Sequence, residues 1–207
     1  MNKREKLKIV LDRVETMPPE YIQRSLYRDY NEMMFLCENI IENTVKNIIE
    51  IGTYWGVASA VFASIIDGDV YTININDDEI FRSKILWDSL EIKNIHQIKG
   101  SSLDELPKLV NDIPDVGFVY VDGNHDIPFA MKEFEIIKNS KIKDGDCLVY
   151  FDDGPLAGVQ QAIKNHNLIT ISDLNWMRLD EKNKGADSTL RAYHIFGDFN
   201  IILENEC

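Results

Sequence analysis

The sequence has 207 residues, 44% of them hydrophobic and 28% charged, the balance of an ordinary globular chain long enough to bury a substantial core in one domain. No run approaches the roughly 20 apolar residues of a membrane helix, and the charged start Met1–Lys6 lacks a signal peptide's apolar core, so neither membrane insertion nor secretion is expected. A formal net charge of −13 opposes a phosphate backbone, and Lys138, Lys141 and Lys143 are broken up by Asp144 and Asp146, which excludes nucleic acid as a partner in favour of a small molecule.

Three cysteines, Cys37, Cys147 and Cys207, are scattered without zinc or disulfide spacing, which fits a reducing cytoplasm. The sequence leaves the oligomeric state open, a homo-oligomer included. With no repeat and no linker-like tract, residues 1–207 read as a single domain, a helical cap over 1–45 and a sheet over 46–207.

In the cap, Leu7, Val10, Leu11 and Val14 recur at helical spacing. After Pro18-Pro19 a second helix is expected from about Pro19 to Glu42. Its tyrosines, Tyr21, Tyr27 and Tyr30, fit either a helix face covering the sheet or part of a lid over a pocket. From Asn47 the pattern changes to short apolar runs: Ile48–Ile51, Val70–Ile75, Ile95–Ile98, Val116–Val121 and Cys147–Phe151. Each is nearly continuous in apolar residues, as expected of strands buried on both faces of a parallel sheet. Helices are predicted between them over Val57–Ile66, Asp78–Ile92, Leu103–Val110, Ile127–Asn139 and Leu156–Asn165. Asp126 is the candidate N-cap of the fourth, with Pro128 in its first turn. Leu168–Ile171, Arg191–Phe196 and Asn200–Leu203 read as further strands, the last two joined at Gly197-Asp198 as an antiparallel hairpin. The predicted fold is therefore α/β, a Rossmann-like, open, doubly wound sheet, mostly parallel, with an antiparallel C-terminal hairpin and a helical N-terminal extension.

Ligands of such a sheet bind beyond the carboxyl ends of its strands. The first strand ends Glu50-Ile51-Gly52-Thr53-Tyr54-Trp55-Gly56. Two glycines flanking a tight strand-to-helix turn suit close approach of a ligand. The spacing is not the Gly-x-Gly-x-x-Gly of dinucleotide sites. A carboxylate beside this loop repels a pyrophosphate and attracts a cationic sulfonium or amino group, which favours S-adenosylmethionine (SAM) over a nicotinamide cofactor. The fourth strand ends at Asp122, followed by Gly123-Asn124-His125, and the fifth at Asp152-Asp153. If these strands are neighbours, three carboxylates crowd one pocket, and a hard divalent cation such as Mg²⁺ would relieve their repulsion. Otherwise Asp152 and Asp153 simply cap the next helix. His125 is the candidate general base, whereas His96, His166 and His194 have no comparable company.

The stretch Ile48–Gly56 resembles motif I of the metal-dependent O-methyltransferases, the catechol and caffeoyl-CoA group. Val121-Asp122-Gly123-Asn124-His125 with the later Asp152-Asp153 is closer to the macrocin/mycinamicin type of sugar O-methyltransferases. The resemblance covers about Asn31 to Ala162. It implies SAM contacts from Glu50, Gly52, Thr53, Tyr54 and Gly56, adenine near Ser101 and Ser102, and Asp122 beside the cofactor. It also implies a Mg²⁺ site of Asp122, Asp152 and Asp153, with His125 and Asp122 in the chemistry. At the end of the second strand the family has an acid that holds the ribose; here it is Asn74, so Asp77 or Asp78 would have to substitute, and Asn74→Asp is expected to tighten SAM binding. The expected activity is Mg²⁺-assisted methyl transfer from SAM to a hydroxyl of a small molecule such as a sugar. A metal-independent small-molecule methyltransferase, and a non-catalytic SAM-fold binding protein, remain the alternatives.

Overall fold

The computed structural model describes residues 2–15, 21, 30–152, 156–171 and 191–202. In chain order the elements are α1 (Lys3–Glu15), α2 (Tyr30–Glu42), β1 (Asn47–Ile51), α3 (Val57–Ile65), β2 (Val70–Asn74), α4 (Asp77–Ser89), β3 (Ile95–Lys99) and α5 (Ser102–Asp112). They continue with β4 (Val116–Val121), α6 (Ile127–Lys138), β5 (Cys147–Phe151), α7 (Ala157–His166), β6 (Ile169–Ile171) and β7 (Arg191–Phe196). The seven strands lie in the order β3-β2-β1-β4-β5-β7-β6. β1 to β5 pair in parallel, and β7 runs antiparallel to both β5 and β6. The chain's direction across the sheet reverses between β1 and β4, the crevice at which such sheets bind their ligands.

Strand alternation sorts the core into two layers. Ile48, Phe118, Tyr120, Leu148 and Tyr150 face α2 and α3 and pack with Leu36 and Phe62. Ile49, Ile51, Val119, Val121, Val149 and Phe151 face the other way and pack with Leu106, Phe134 and Val159 of α5, α6 and α7. Phe62 meets Phe118 and Tyr120 edge to face, each pair with centroids 5.5 Å apart, an arrangement that stabilises by about 1 kcal/mol per pair beyond the area it buries. Continuous apolar strands were the sequence's sign of burial on both faces, and these two layers are the reason for it.

Local chemistry sets the element ends. Asn76 caps α4, its side-chain oxygen accepting from the amides of Asp78 and Glu79. Asp126 stands at the N-cap position of α6 but makes no side-chain cap bond; Pro128 occupies the first turn as expected. The N-terminal extension contains α1 and α2, the latter beginning at Tyr30; Tyr27 lies outside the described residues. The antiparallel C-terminal pair is present, but it joins β6 to β7. Residues 200–202 form no strand, contrary to the Asn200–Leu203 expectation; Leu203 lies outside the described residues. After the Gly197-Asp198 turn, pinned by the Asp198 amide on Asp146 at 2.7 Å, the chain leaves β7 for α2. There Asn43 and Asn39 bond the backbone N–H and C=O of Asn200 and Ile202. Side-chain amides thus supply the partners that a neighbouring strand would have given. No helix among the described residues is long and apolar enough to cross a membrane.

Candidate active site

The loop after β1 turns on three left-handed residues, Gly52 (φ 96), Tyr54 (φ 45) and Gly56 (φ 79). Its glycines answer to the protein's own packing. A Cβ on Gly52 would lie 2.0 Å from the carbonyl oxygen of Asp122, and one on Gly56 would lie 2.6 Å from the Trp87 indole nitrogen. Trp87 donates to the Gly56 carbonyl at 2.8 Å, tying the loop to α4. Tyr54 stacks on Trp55 at 5.2 Å, Tyr21 meets Trp55 edge-on at 4.9 Å, and the Arg82 guanidinium lies 4.9 Å from the Trp55 ring. Of the three cap tyrosines, Tyr21 therefore reaches the loop; the side chain of Tyr30 is outside the described set. α3 opens directly from the loop at Gly56 with no side-chain cap, leaving its first amides to whatever lies at the loop.

Glu50 points inward, into the layer between the sheet and α3. One of its carboxylate oxygens accepts from the hydroxyls of Ser59 and Thr72, and Thr72 in turn bonds Thr53 of the loop. The other, Oε1, is buried without a partner. Burial raises the Glu50 carboxyl to about 7, against the lowering effect of the two hydroxyls. An unpaired buried acceptor of this kind is a debt that a cationic group at the loop would settle.

At the end of β2, Asn74 is buried, and both ends of its amide are engaged. Its Nδ2 donates to Glu79 Oε2 at 3.0 Å and its Oδ1 accepts from the Asn76 amide at 3.1 Å. The expected substitutes are engaged elsewhere: Asp77 pairs with Lys99 at 2.5 Å and Asp78 with Arg82 at 2.7 Å. Glu79, which the sequence reading passed over, is the carboxylate that meets Asn74. Ser101 and Ser102 follow β3 at the same sheet edge; Ser101 holds the N-cap position of α5 and Ser102 Oγ donates to Glu133.

Across the crevice, Asp122 follows β4 directly, its amide bonded to the Ile51 carbonyl at 2.9 Å. His125 Nε2 lies 3.4 Å from Asp122 Oδ1. Burial raises the carboxyl of Glu133 on α6 above the usual carboxylate range, against the lowering effects of the Ser102 hydroxyl and then of His125. β4 and β5 are neighbours as expected, with Tyr120 opposite Tyr150.

The cation that relieves crowding around Asp152 comes from an unexpected strand. Arg191, the first residue of β7, places Nε 2.8 Å from Asp152 Oδ1. The same guanidinium grips Glu32 of α2 through two bonds of 2.6 and 2.7 Å. Tyr120 donates to Asp152 Oδ2 at 2.9 Å and Tyr150 to Glu32 Oε1 at 2.6 Å. Burial, then the charge of Asp152, push Glu32 up to about 8, with Arg191 pulling the other way. Burial acts to lower Arg191, but Asp152 and Glu32 more than offset it and hold the guanidinium charged. The sequence carried one signal for this network: a lone acid in Met33–Cys37's apolar surroundings and a lone base opening an apolar strand. No group of three His, Cys, Asp or Glu side chains suited to a metal occurs among the described residues; Asp153 lies outside them.

A family model described as a methyltransferase domain matches residues 49–154, the stretch from β1 past β5 that contains the loop, Asn74, Asp122, His125 and Asp152. No curated protein matches the sequence. Among solved structures, the chain is similar to the O-methyltransferase TomG of Streptomyces achromogenes, involved in tomaymycin synthesis and in complex with SAM, at 21% identity and a TM-score of 0.61, over 81% of this chain and 80% of that one. It is also similar to an O-methyltransferase from Bacillus cereus in complex with S-adenosylhomocysteine (SAH), at 15% identity and a TM-score of 0.65, over 93% and 91% of the two chains. A putative caffeoyl-CoA O-methyltransferase from Staphylococcus aureus matches at 23% identity and a TM-score of 0.59, over 94% and 99%. At these identities the likeness is one of fold.

Proposed function

The chain belongs to the methyltransferase domain family, and we propose that it transfers a methyl group from SAM to a hydroxyl of a small molecule such as a sugar. The observation that carries the choice of donor is Glu50 Oε1, a buried acceptor without a partner beneath the loop. It suits the positive charge that distinguishes SAM from an anionic dinucleotide. Bound SAM supplies an electrophilic methyl on a sulfonium centre. The uncapped start of α3 suits the carboxylate of the methionyl part. Glu79, oriented by Asn74, suits the ribose hydroxyls.

For the acceptor, Asp122 orients His125, which takes the proton from the attacking hydroxyl. Holding that hydroxyl in line with the methyl supplies much of the rate. The expected Mg²⁺ finds a poor donor set in the described residues, because both oxygens of Asp152 already have partners in Arg191 and Tyr120. No step is routed through a metal. A calorimetric titration tests the proposal: SAM and SAH should each bind at one site per chain, and Asp122→Asn should weaken both. A wild-type chain that binds neither would remove SAM as the donor.

A further inference from the structure

We propose that Arg191 stands where a divalent cation would otherwise sit at this site, so that the chain works without a metal and Arg191 is the positioning residue that holds Asp152 at the acceptor side of the crevice. The inference rests on the methyl-transfer reading above.

Two carboxylates from different parts of the chain converge here, Glu32 from α2 and Asp152 from the end of β5. Such a convergence requires a cation. The guanidinium meets the need with a two-pronged grip on Glu32 and a third contact to Asp152. Two tyrosine hydroxyls complete the arrangement, one on each carboxylate. The Arg191 side chain is 9% exposed, that of Glu32 1% and that of Asp152 16%, so these contacts form away from bulk water.

A Mg²⁺ ion needs about six oxygens in near-octahedral array at roughly 2.0–2.1 Å. Asp152 could join such a shell only by giving up Arg191 or Tyr120, and the ion would then lie beside a guanidinium of its own sign. The guanidinium cannot leave by losing its proton. It is also carried on β7, where Arg191 pairs with Ile171 of β6 and the next residue, Ala192, with Phe151 of β5, so its backbone cannot swing aside without opening the sheet. A metal draws an acceptor hydroxyl to itself, whereas this arrangement has no open coordination position. It fixes the direction of Asp152 and leaves proton removal to His125.

The test is a titration with Mn²⁺ alone, followed by the loss of the free-ion electron paramagnetic resonance signal, on metal-stripped full-length protein with and without SAM. The wild type should take up no stoichiometric ion. The double variant Glu32→Gln/Arg191→Met removes one buried charge of each sign, and it should bind Mn²⁺ at least tenfold more tightly than the wild type. Adding Asp152→Asn to that background should abolish the gain. Stoichiometric Mn²⁺ binding by the wild type that Asp152→Asn removes would overturn the proposal, and so would a folded double variant with no gain. Should the double variant not fold, the wild-type titration decides alone. SAM binding on the same samples keeps the two readings apart: a chain that binds neither SAM nor Mn²⁺ defeats methyl transfer and leaves the account of Arg191 as the local cation standing.

Discussion

Asn74 Nδ2 donates to Glu79 Oε2 at 3.0 Å, so the end of β2 carries an amide that aims a carboxylate from the first turn of α4. Glu79 keeps its second oxygen without a partner among the described residues, while Asp77 and Asp78 are held by Lys99 and Arg82. Glu79→Gln should therefore weaken SAH binding by roughly ten- to a hundredfold, the worth of a charge-assisted bond to a hydroxyl. Asn74→Asp should not tighten binding, because it sets a second carboxylate against Glu79. Calorimetry with SAH reads both; a tighter Asn74→Asp variant would mean that the ribose is held at position 74 itself.

Much of this was legible in the sequence, for a physical reason that also marks its boundary. Val116–Val121 and Cys147–Phe151 could be read as neighbouring buried strands because burial on both faces leaves a continuous apolar run. That reading put Asp122 and Asp152 at one sheet edge. The partners of those acids were not legible in the same way. Arg191 and Glu32 flank the sheet from opposite ends of the chain, and their meeting depends on β7 docking beside β5 and on α2 lying over Tyr150. Glu50 is an intermediate case. Strand alternation places it with Ile48, on the face opposite Ile49 and Ile51, but only the fold brings Ser59 and Thr72 onto its carboxylate. The final residues were misread because Asn200–Ile202 satisfies its backbone on side chains, a solution with no strand-like or helix-like periodicity.

That docking gives a stability prediction. Asn39 is wholly buried and bonds both the N–H and the C=O of Ile202, at 2.8 and 3.2 Å. Asn39→Leu would leave both backbone groups unpaired, at a cost of about 2–4 kcal/mol. Asn43→Ala, at the exposed end of the same clamp, should cost less, about 1 kcal/mol. Urea denaturation midpoints measure the two. Equal losses would mean that the C-terminal segment contributes little to the folded state.

Glu50 links stability to pH. Its carboxyl is raised to about 7 in the folded chain by burial, so between the ordinary glutamate range and pH 7 the folded state keeps a proton that the unfolded state has lost. The stabilising effect of that proton is complete at low pH and is lost as pH rises through about 7. The upper limit is about 3 kcal/mol. Glu50→Gln carries no proton to lose and keeps an acceptor for Ser59 and Thr72. Between pH 5 and 8.5 the wild type should therefore lose more stability than Glu50→Gln in urea melts. Parallel pH profiles for the two proteins would show that Glu50 ionises as an ordinary surface acid.

On the function proposed above, His125 is the residue that removes the acceptor's proton. Its Nε2 lies 3.4 Å from Asp122 Oδ1, and its backbone carbonyl accepts from the Gly158 amide at 3.1 Å, so the ring faces Asp122 at the end of β4 while the backbone that carries it is tied to the start of α7. A base fixed in this way contributes in the transition state and little to cofactor binding. His125→Ala should slow methyl transfer by about 10²–10⁴-fold and leave SAM affinity within about twofold. The rise in rate with pH that belongs to the histidine should vanish with it. Asp122→Asn should also slow transfer, by misdirecting the ring, and should weaken SAM binding as well, which separates the two roles. The measurement is single-turnover transfer of labelled methyl to a vicinal diol that the wild type accepts, across pH 5.5–9. A His125→Ala enzyme that keeps the wild-type rate and pH profile would assign proton removal to another group, for which Glu133, whose carboxyl is raised by burial and whose Oε2 is buried without a partner, is a candidate.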